Sequence, residues 1–133
     1  MLASSSTDLT VKIWDIGVGK EKVCLEGHAE IIQSLGWSHM GDLMATTCKN
    51  KKVRVFDVRA NRVVQEMQGH AGVKGSRVVW LGETGKMITT GFSRTSDRQV
   101  FIWDIKNLST PVKQEQIDTA SGYVSFLLTV EKV

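Results

Sequence analysis

The residues in this chain best equipped for chemistry are three histidines, two cysteines and a few glycine- or serine-rich stretches. Their spacing argues against most of what such residues can do. Cys24 and His28 are four apart, and His39 and Cys48 lie further on, but no Cys-x-x-Cys or His-x-x-x-His pair is present, so a zinc site is not expected. Gly17, Gly19 and Lys20 follow Trp14-Asp15 in a turn and lack the strand-to-helix setting of a phosphate loop. Residues 4–6 are three serines without the flanking glycines of a nucleophile elbow. No carboxylate pair stands out for acid–base work. The residues therefore predict neither catalysis nor a bound cofactor or metal.

What recurs is not a catalytic set but a repeat. Sliding the sequence by about 42 residues lays 3–16 (ASSSTDLTVKIWDI) on 45–58 (ATTCKNKKVRVFDV), and LEGH at 25–28 on MQGH at 67–70. A third copy, residues 88–105, joins in register at its Trp-Asp pair. Trp14-Asp15, Phe56-Asp57 and Trp103-Asp104 thus alternate with Gly27-His28 and Gly69-His70. The segments alternate in polarity with a period of two and are rich in β-branched and aromatic residues, which predicts strands. Val11 and Ile13 fall on one face of such a strand, Lys12 and Trp14 on the other. Further short apolar runs at 31–37, 43–47, 63–67, 77–81 and 87–90 are separated by polar or glycine-containing turns at 39–42, 59–62 and 82–86. No stretch holds a 3.6 period for three turns, so the fold class is all-β with about four strands per repeat.

Composition narrows the setting. Of 133 residues, 41% are hydrophobic and 23% charged, the balance of a chain that builds a core. There is no apolar run of the ~20 residues a helical membrane span needs, and no leader pattern at Met1, so secretion and membrane insertion are not expected. Two cysteines are too few for a disulfide scaffold, and a reduced setting is the default. The formal net charge of +3 conceals a local −3 over residues 1–48, +7 over 49–106 and −1 over 107–133. A basic middle of this kind suits an acidic partner. Nucleic acid is a poor match, because the nine aromatic residues fall mostly at core strand positions and leave few to stack on bases.

The period, the Gly-His and Trp-Asp pairs and the four short strands together resemble the WD40 β-propeller family over about residues 2–118. The resemblance implies an incomplete propeller: a partial blade at 2–25, whole repeats at 26–68 and 69–118, and a divergent tail at 119–133. It also implies a hydrogen-bonded set in each blade, made by the Gly-His histidine, a strand Ser or Thr, a turn Asp and the Trp. The third repeat offers His70, Thr89, Asp97 and Trp103. The second offers His28 and Thr46, with Asn50 and Phe56 where Asp and Trp are usual, and Phe56 has no ring N–H to donate. The first supplies Ser4, Asp8 and Trp14, and its histidine would fall before Met1. Buried together, such groups can satisfy one another, so their expected role is structural.

Within that family, KKVRVFDVR (51–59), IDTASG (117–122) and above all TTGFSRTSDRQVFIWD (89–104) resemble the coronins, actin-associated WD40 proteins. Thr46 and Asn50 are four apart whereas Thr89 and Asp97 are eight apart, which predicts a turn lengthened by four residues around 92–96. QSLGWS (33–38) and GSRVVW (75–80) are similar to the tandem-propeller coronins, whereas residues 123–133 depart from the coronin pattern. The resemblance implies binding to actin filaments or actin-regulating proteins, and a cytoplasmic, cytoskeleton-associated location, Golgi or vesicles if the tandem class applies. A general WD40 scaffold in trafficking or in a ubiquitin-ligase complex is the competing expectation. The candidate contact face collects Lys49, Lys51, Lys52, Lys74, Arg94 and Arg98. Three repeats leave outer blade faces uncovered, so further blades are expected in the full-length protein and the isolated chain should be marginally stable or prone to aggregate.

Overall fold

The computed structural model describes residues 1–118, and residues 119–133, the expected tail, lie outside the described residues. The chain forms three antiparallel sheets in sequence order. The first holds β1 (Leu2–Ser5), β2 (Val11–Asp15) and β3 (Lys20–Leu25). The second holds β4 (Ile32–Trp37), β5 (Leu43–Cys48), β6 (Lys52–Asp57) and β7 (Arg62–Gln68). The third holds β8 (Arg77–Trp80), β9 (Lys86–Phe92), β10 (Arg98–Asp104) and β11 (Lys113–Asp118). Every neighbour in a sheet is a neighbour in sequence, the up-and-down order of a propeller blade. Among the described residues the only helical element is a short 3-10 turn at Gly82–Thr84.

Packing between sheets explains the two-sided burial of the middle strands. Val53 and Val55 of β6 join Val78, Trp80, Phe101 and Trp103 in a core shared with the third sheet. Phe56, on the opposite face of β6, joins Val11, Ile13 and Leu25 in a core shared with the first. Each such side chain, fully buried, stabilises the fold by about 1.5–3 kcal/mol before entropy is counted. The third sheet's other face carries Val79, Ile88, Val100 and Ile102, all half-buried and outside both cores.

A polar seam also joins the second and third sheets. The Val78 N–H donates to Ser34 Oγ (3.1 Å), Ser34 pairs with Thr47 Oγ1 (2.6 Å), and the Thr47 hydroxyl donates to the Ser76 carbonyl (2.9 Å). Since Thr47 is a donor to Ser76, the proton between the two hydroxyls belongs to Ser34. One orientation thus satisfies the whole chain. Trp80 Nε1–H donates to the Gly36 carbonyl across the same seam (2.9 Å), and a Cβ at Gly36 would stand only 3.3 Å from that indole.

The expected lengthened turn is corrected by the register. In the second sheet Thr47↔Val53 is the last pair before the β5–β6 turn, which leaves five residues, 48–52. In the third, Phe92↔Arg98 closes the β9–β10 ladder and again leaves five, 93–97. The four added residues form two extra pairs, Gly91↔Gln99 and Phe92↔Arg98. Strand pairing satisfies four more backbone groups than a floppy loop would. The hairpin is taller by roughly 6–7 Å at about 3.3 Å per residue, and its turn is no longer.

Candidate functional site

The three blades form a graded series of hydrogen-bonded sets. In the first, Trp14 Nε1–H donates to Ser4 Oγ (2.9 Å). Asp8 stands apart, accepting from the Thr10 N–H (3.1 Å) and hydroxyl (2.7 Å) and so closing its own turn. The Thr10 hydroxyl is the main cause of its lowered carboxyl pKa.

The third blade holds a continuous chain. Trp103 Nε1–H donates to Thr89 Oγ1 (3.0 Å), Thr89 Oγ1 meets His70 Nε2 (3.0 Å), and His70 Nδ1 meets Gln99 Oε1 (3.2 Å). Gln99 Oε1 can only accept, so the His70 proton sits on Nδ1. Nε2 then accepts from the Thr89 hydroxyl, and all four groups are matched. The ring stacks on Phe101 at 3.9 Å and lies over Gly91, where a Cβ would come within 2.5 Å of the imidazole. Burial holds the His70 pKa below its ordinary value, against the opposing pull of Gln99 and Thr89.

Asp97, expected to be His70's partner, is displaced by the taller hairpin. It sits in the turn, where its carboxylate accepts from Ser93 (3.1 Å) and Thr95 (2.6 Å). Gln99, two residues further along, occupies the level at which the histidine ring lies.

In the second blade the same chain is broken. His28 Nε2 meets Thr46 Oγ1 at 2.9 Å, but Nδ1 has no hydrogen-bond partner and Phe56 stands where an indole would donate. Asn50 does not reach the histidine; its Oδ1 accepts from the Lys52 N–H (3.2 Å) within the turn. The position matching Phe101 is Arg54, only 3% exposed, whose Nε–H donates to Glu66 (3.0 Å) while its Nη1 is unpartnered. Burial, and after it the Arg54 charge, lowers the His28 pKa to about 4; the Leu9 backbone opposes both, though it is too weakly placed to count as a formed hydrogen bond.

The six candidate basic residues are not one patch. Lys49, Lys51 and Lys74 line a notch between the second and third blades, together with Gln33 and Ser76. Arg94 is exposed at the tip of the taller hairpin. Lys52 lies on the β6 face shared with Arg54 and Phe56, which turns toward the first blade. Arg98 is engaged by Asp118 through both Nε and Nη2, and that hydrogen bond is the leading cause of its raised pKa. The expectation of six cooperating cations is therefore corrected to a notch of three with Arg94 nearby.

Gln99, Arg54 and the Ser34–Thr47–Ser76 seam had no place among the expected site residues. A charged residue in the centre of the apolar run VRVF was the available signal for Arg54. Among the described residues no cluster of three or more His, Cys, Asp or Glu could hold a metal ion, and no helix is long and apolar enough to cross a membrane.

Comparison with known proteins follows the same lines. Residues 10–82 match the family model described as the anaphase-promoting complex subunit 4 WD40 domain. The chain is 44% identical over 108 residues to the coronin-like protein of Saccharomyces cerevisiae, covering 81% of this chain and 16% of that protein. It is 46% identical over 123 residues to coronin-like protein crn1 of Schizosaccharomyces pombe, covering 92% and 20%. With human coronin-2A the identity is 40%, covering 92% of this chain and 24% of that protein. The crystal structure of the WD40 domain from Toxoplasma gondii coronin superposes with a TM-score of 0.84 at 33% identity, covering 90% of this chain and 31% of that one. The chain spans at most about a quarter of the length of these curated relatives. It belongs to the WD40 β-propeller family, as a coronin-like segment of three successive blades.

Proposed function

We propose that this segment is a non-catalytic binding module that engages an acidic protein surface, and that the surface is the actin filament or an actin-regulating protein. The observation that carries the reading is the convergence of Lys49, Lys51 and Lys74, with exposed Arg94 beside them, at one end of two adjacent blades. Clustered charge of one sign steers an oppositely charged partner and fixes its orientation. The likeness to coronins supports this choice of partner and, with it, work at the cytoskeleton in the cytoplasm.

Co-sedimentation of the full chain with actin filaments tests this, with a filament-free spin to subtract self-pelleting. Reversal of Lys49, Lys51, Lys74 and Arg94 to Glu is expected to weaken binding by at least about tenfold, and wild-type binding should fall with added salt. Binding that is unchanged by the reversal and indifferent to salt would contradict the proposal. The competing scaffold reading has one observation in its favour, the match to a domain described from an anaphase-promoting complex subunit. Retrieval of the chain with such assemblies in the absence of filament binding would support it.

A further inference from the structure

The notch between the second and third blades has features that a merely solubilising surface does not need. Its charged lining consists of Lys49, Lys51 and Lys74, and no carboxylate lines it. His70 also reaches it, and burial favours the neutral ring. An anion arriving at such a lining meets cations from both blades and no opposing carboxylate.

The walls are fixed before any ligand arrives. The Lys49 N–H donates to the Ile31 carbonyl (2.8 Å) and the Lys51 N–H to the Cys48 carbonyl (3.0 Å). The Lys51 carbonyl in turn accepts from Gly69 (2.8 Å), and Lys51 holds a left-handed φ of 69°. On the opposite wall the Gly72 N–H donates to the Phe92 carbonyl (2.7 Å), so close that a Cβ at Gly72 would stand 2.5 Å from that oxygen. The Lys74 ammonium lies 4.9 Å above the Phe92 ring, a cation–π contact that restrains a long side chain. At the floor, Gln33 Oε1 accepts from the Ser76 N–H (3.1 Å) and hydroxyl (3.3 Å), which leaves the Gln33 amide NH2 as its donating end.

The enclosed part of the notch has room for about one water, less than a carboxylate needs, so an acidic group would sit across its mouth and not inside it. We infer that the mouth of the notch is the receptor for a single Asp or Glu side chain projecting from the partner, its carboxylate held among Lys49, Lys51 and Lys74. This rests on the reading above that the face meets an acidic protein, and it reduces that face to one socket.

The test uses the full chain and a fluorescein-labelled hexaglutamate peptide, with hexaglutamine and a phosphoserine peptide of equal charge as companions. Hexaglutamate should bind and hexaglutamine should not. Lys49→Gln, Lys51→Gln or Lys74→Gln should each weaken hexaglutamate binding about two- to fivefold, while Lys52→Gln and Arg94→Gln change it by less. Unchanged tryptophan fluorescence in each variant confirms that folding is intact. Equal losses from all five substitutions, or no hexaglutamate binding at all, would overturn the socket. Phosphoserine binding more than about tenfold tighter than hexaglutamate would overturn the carboxylate assignment. The two proposals fail separately. Equal peptide losses alongside filament binding sensitive to the fourfold reversal reject the socket alone, and selective peptide losses without filament binding reject the actin reading alone.

Discussion

The second and third blades are built from the same repeat, yet one completes its buried hydrogen-bonded set and the other does not. In the third, Trp103, Thr89, His70 and Gln99 pass donor to acceptor without a gap. In the second, Phe56 removes the first donor, Asn50 is engaged in its own turn, and His28 Nδ1 and Arg54 Nη1 are left unpartnered. The difference shows that the histidine–hydroxyl contact, present in both at 2.9–3.0 Å, is the part of the set the fold retains when the rest is lost. It also locates the weaker blade: the one that packs against the three-stranded first sheet.

The sharpest break of this comparison is at the shared threonine. Thr89→Val strands both the Trp103 N–H and His70 Nε2, two buried groups, and is expected to destabilise the chain by about 2–5 kcal/mol. Thr46→Val strands only His28 Nε2, and about 1–2 kcal/mol is expected. Urea unfolding of the two variants checks the order, and equal losses would mean that the indole bond contributes nothing.

Acid probes the second blade next. Unfolded, His28 titrates near 6.5; folded, it does so at about 4. The unfolded chain therefore takes up the extra proton between those values, so stability falls as pH drops from about 6.5 to about 4 and is unaffected by this group above 7. The span amounts to about 3 kcal/mol, and His28→Gln should flatten much of it; the lowered His70 pKa adds loss of the same sign below 6.5. An identical acid profile in wild type and His28→Gln would contradict the assignment.

The smallest effect is expected at Arg54. Its partner Glu66 is 45% exposed and can return to water, so Arg54→Met removes an incompletely satisfied buried charge without stranding another. Thermal unfolding should show a change within about 1 kcal/mol, neutral or stabilising. A loss above 3 kcal/mol would mean that the second blade has a use for the charge that its hydrogen bonds do not show.

How much of this was legible in the residues depends on the range of the interaction. The period and the strands follow from local alternation and from the repeat itself, whereas the pairing of Trp103 with Thr89 was legible only through the resemblance to WD40 blades. The partner of His70 was misplaced because Asp97 was counted from the turn, whereas the ladder counts from the strand, and two extra pairs separate the two reckonings. The seam of Ser34, Thr47 and Ser76 carries no motif, since each residue is unremarkable until two blades meet. The basic face was over-counted for a related reason: spacing along β6 and β10 does not say that Lys52 turns to the other face or that Arg98 meets Asp118 from β11. Cross-strand and cross-blade partners are set by register.

An acidic partner that enters between these two blades must bring its carboxylates against the notch lysines. Zero-length carbodiimide crosslinking tests it most directly, because it joins a lysine amine to a carboxylate in contact with it, with loss of water. The full chain mixed with actin filaments should yield crosslinks concentrated at Lys49, Lys51 and Lys74, suppressed by high salt. Crosslinks confined to Lys20, Lys22 or Lys106, with the three notch lysines unmodified, would contradict it.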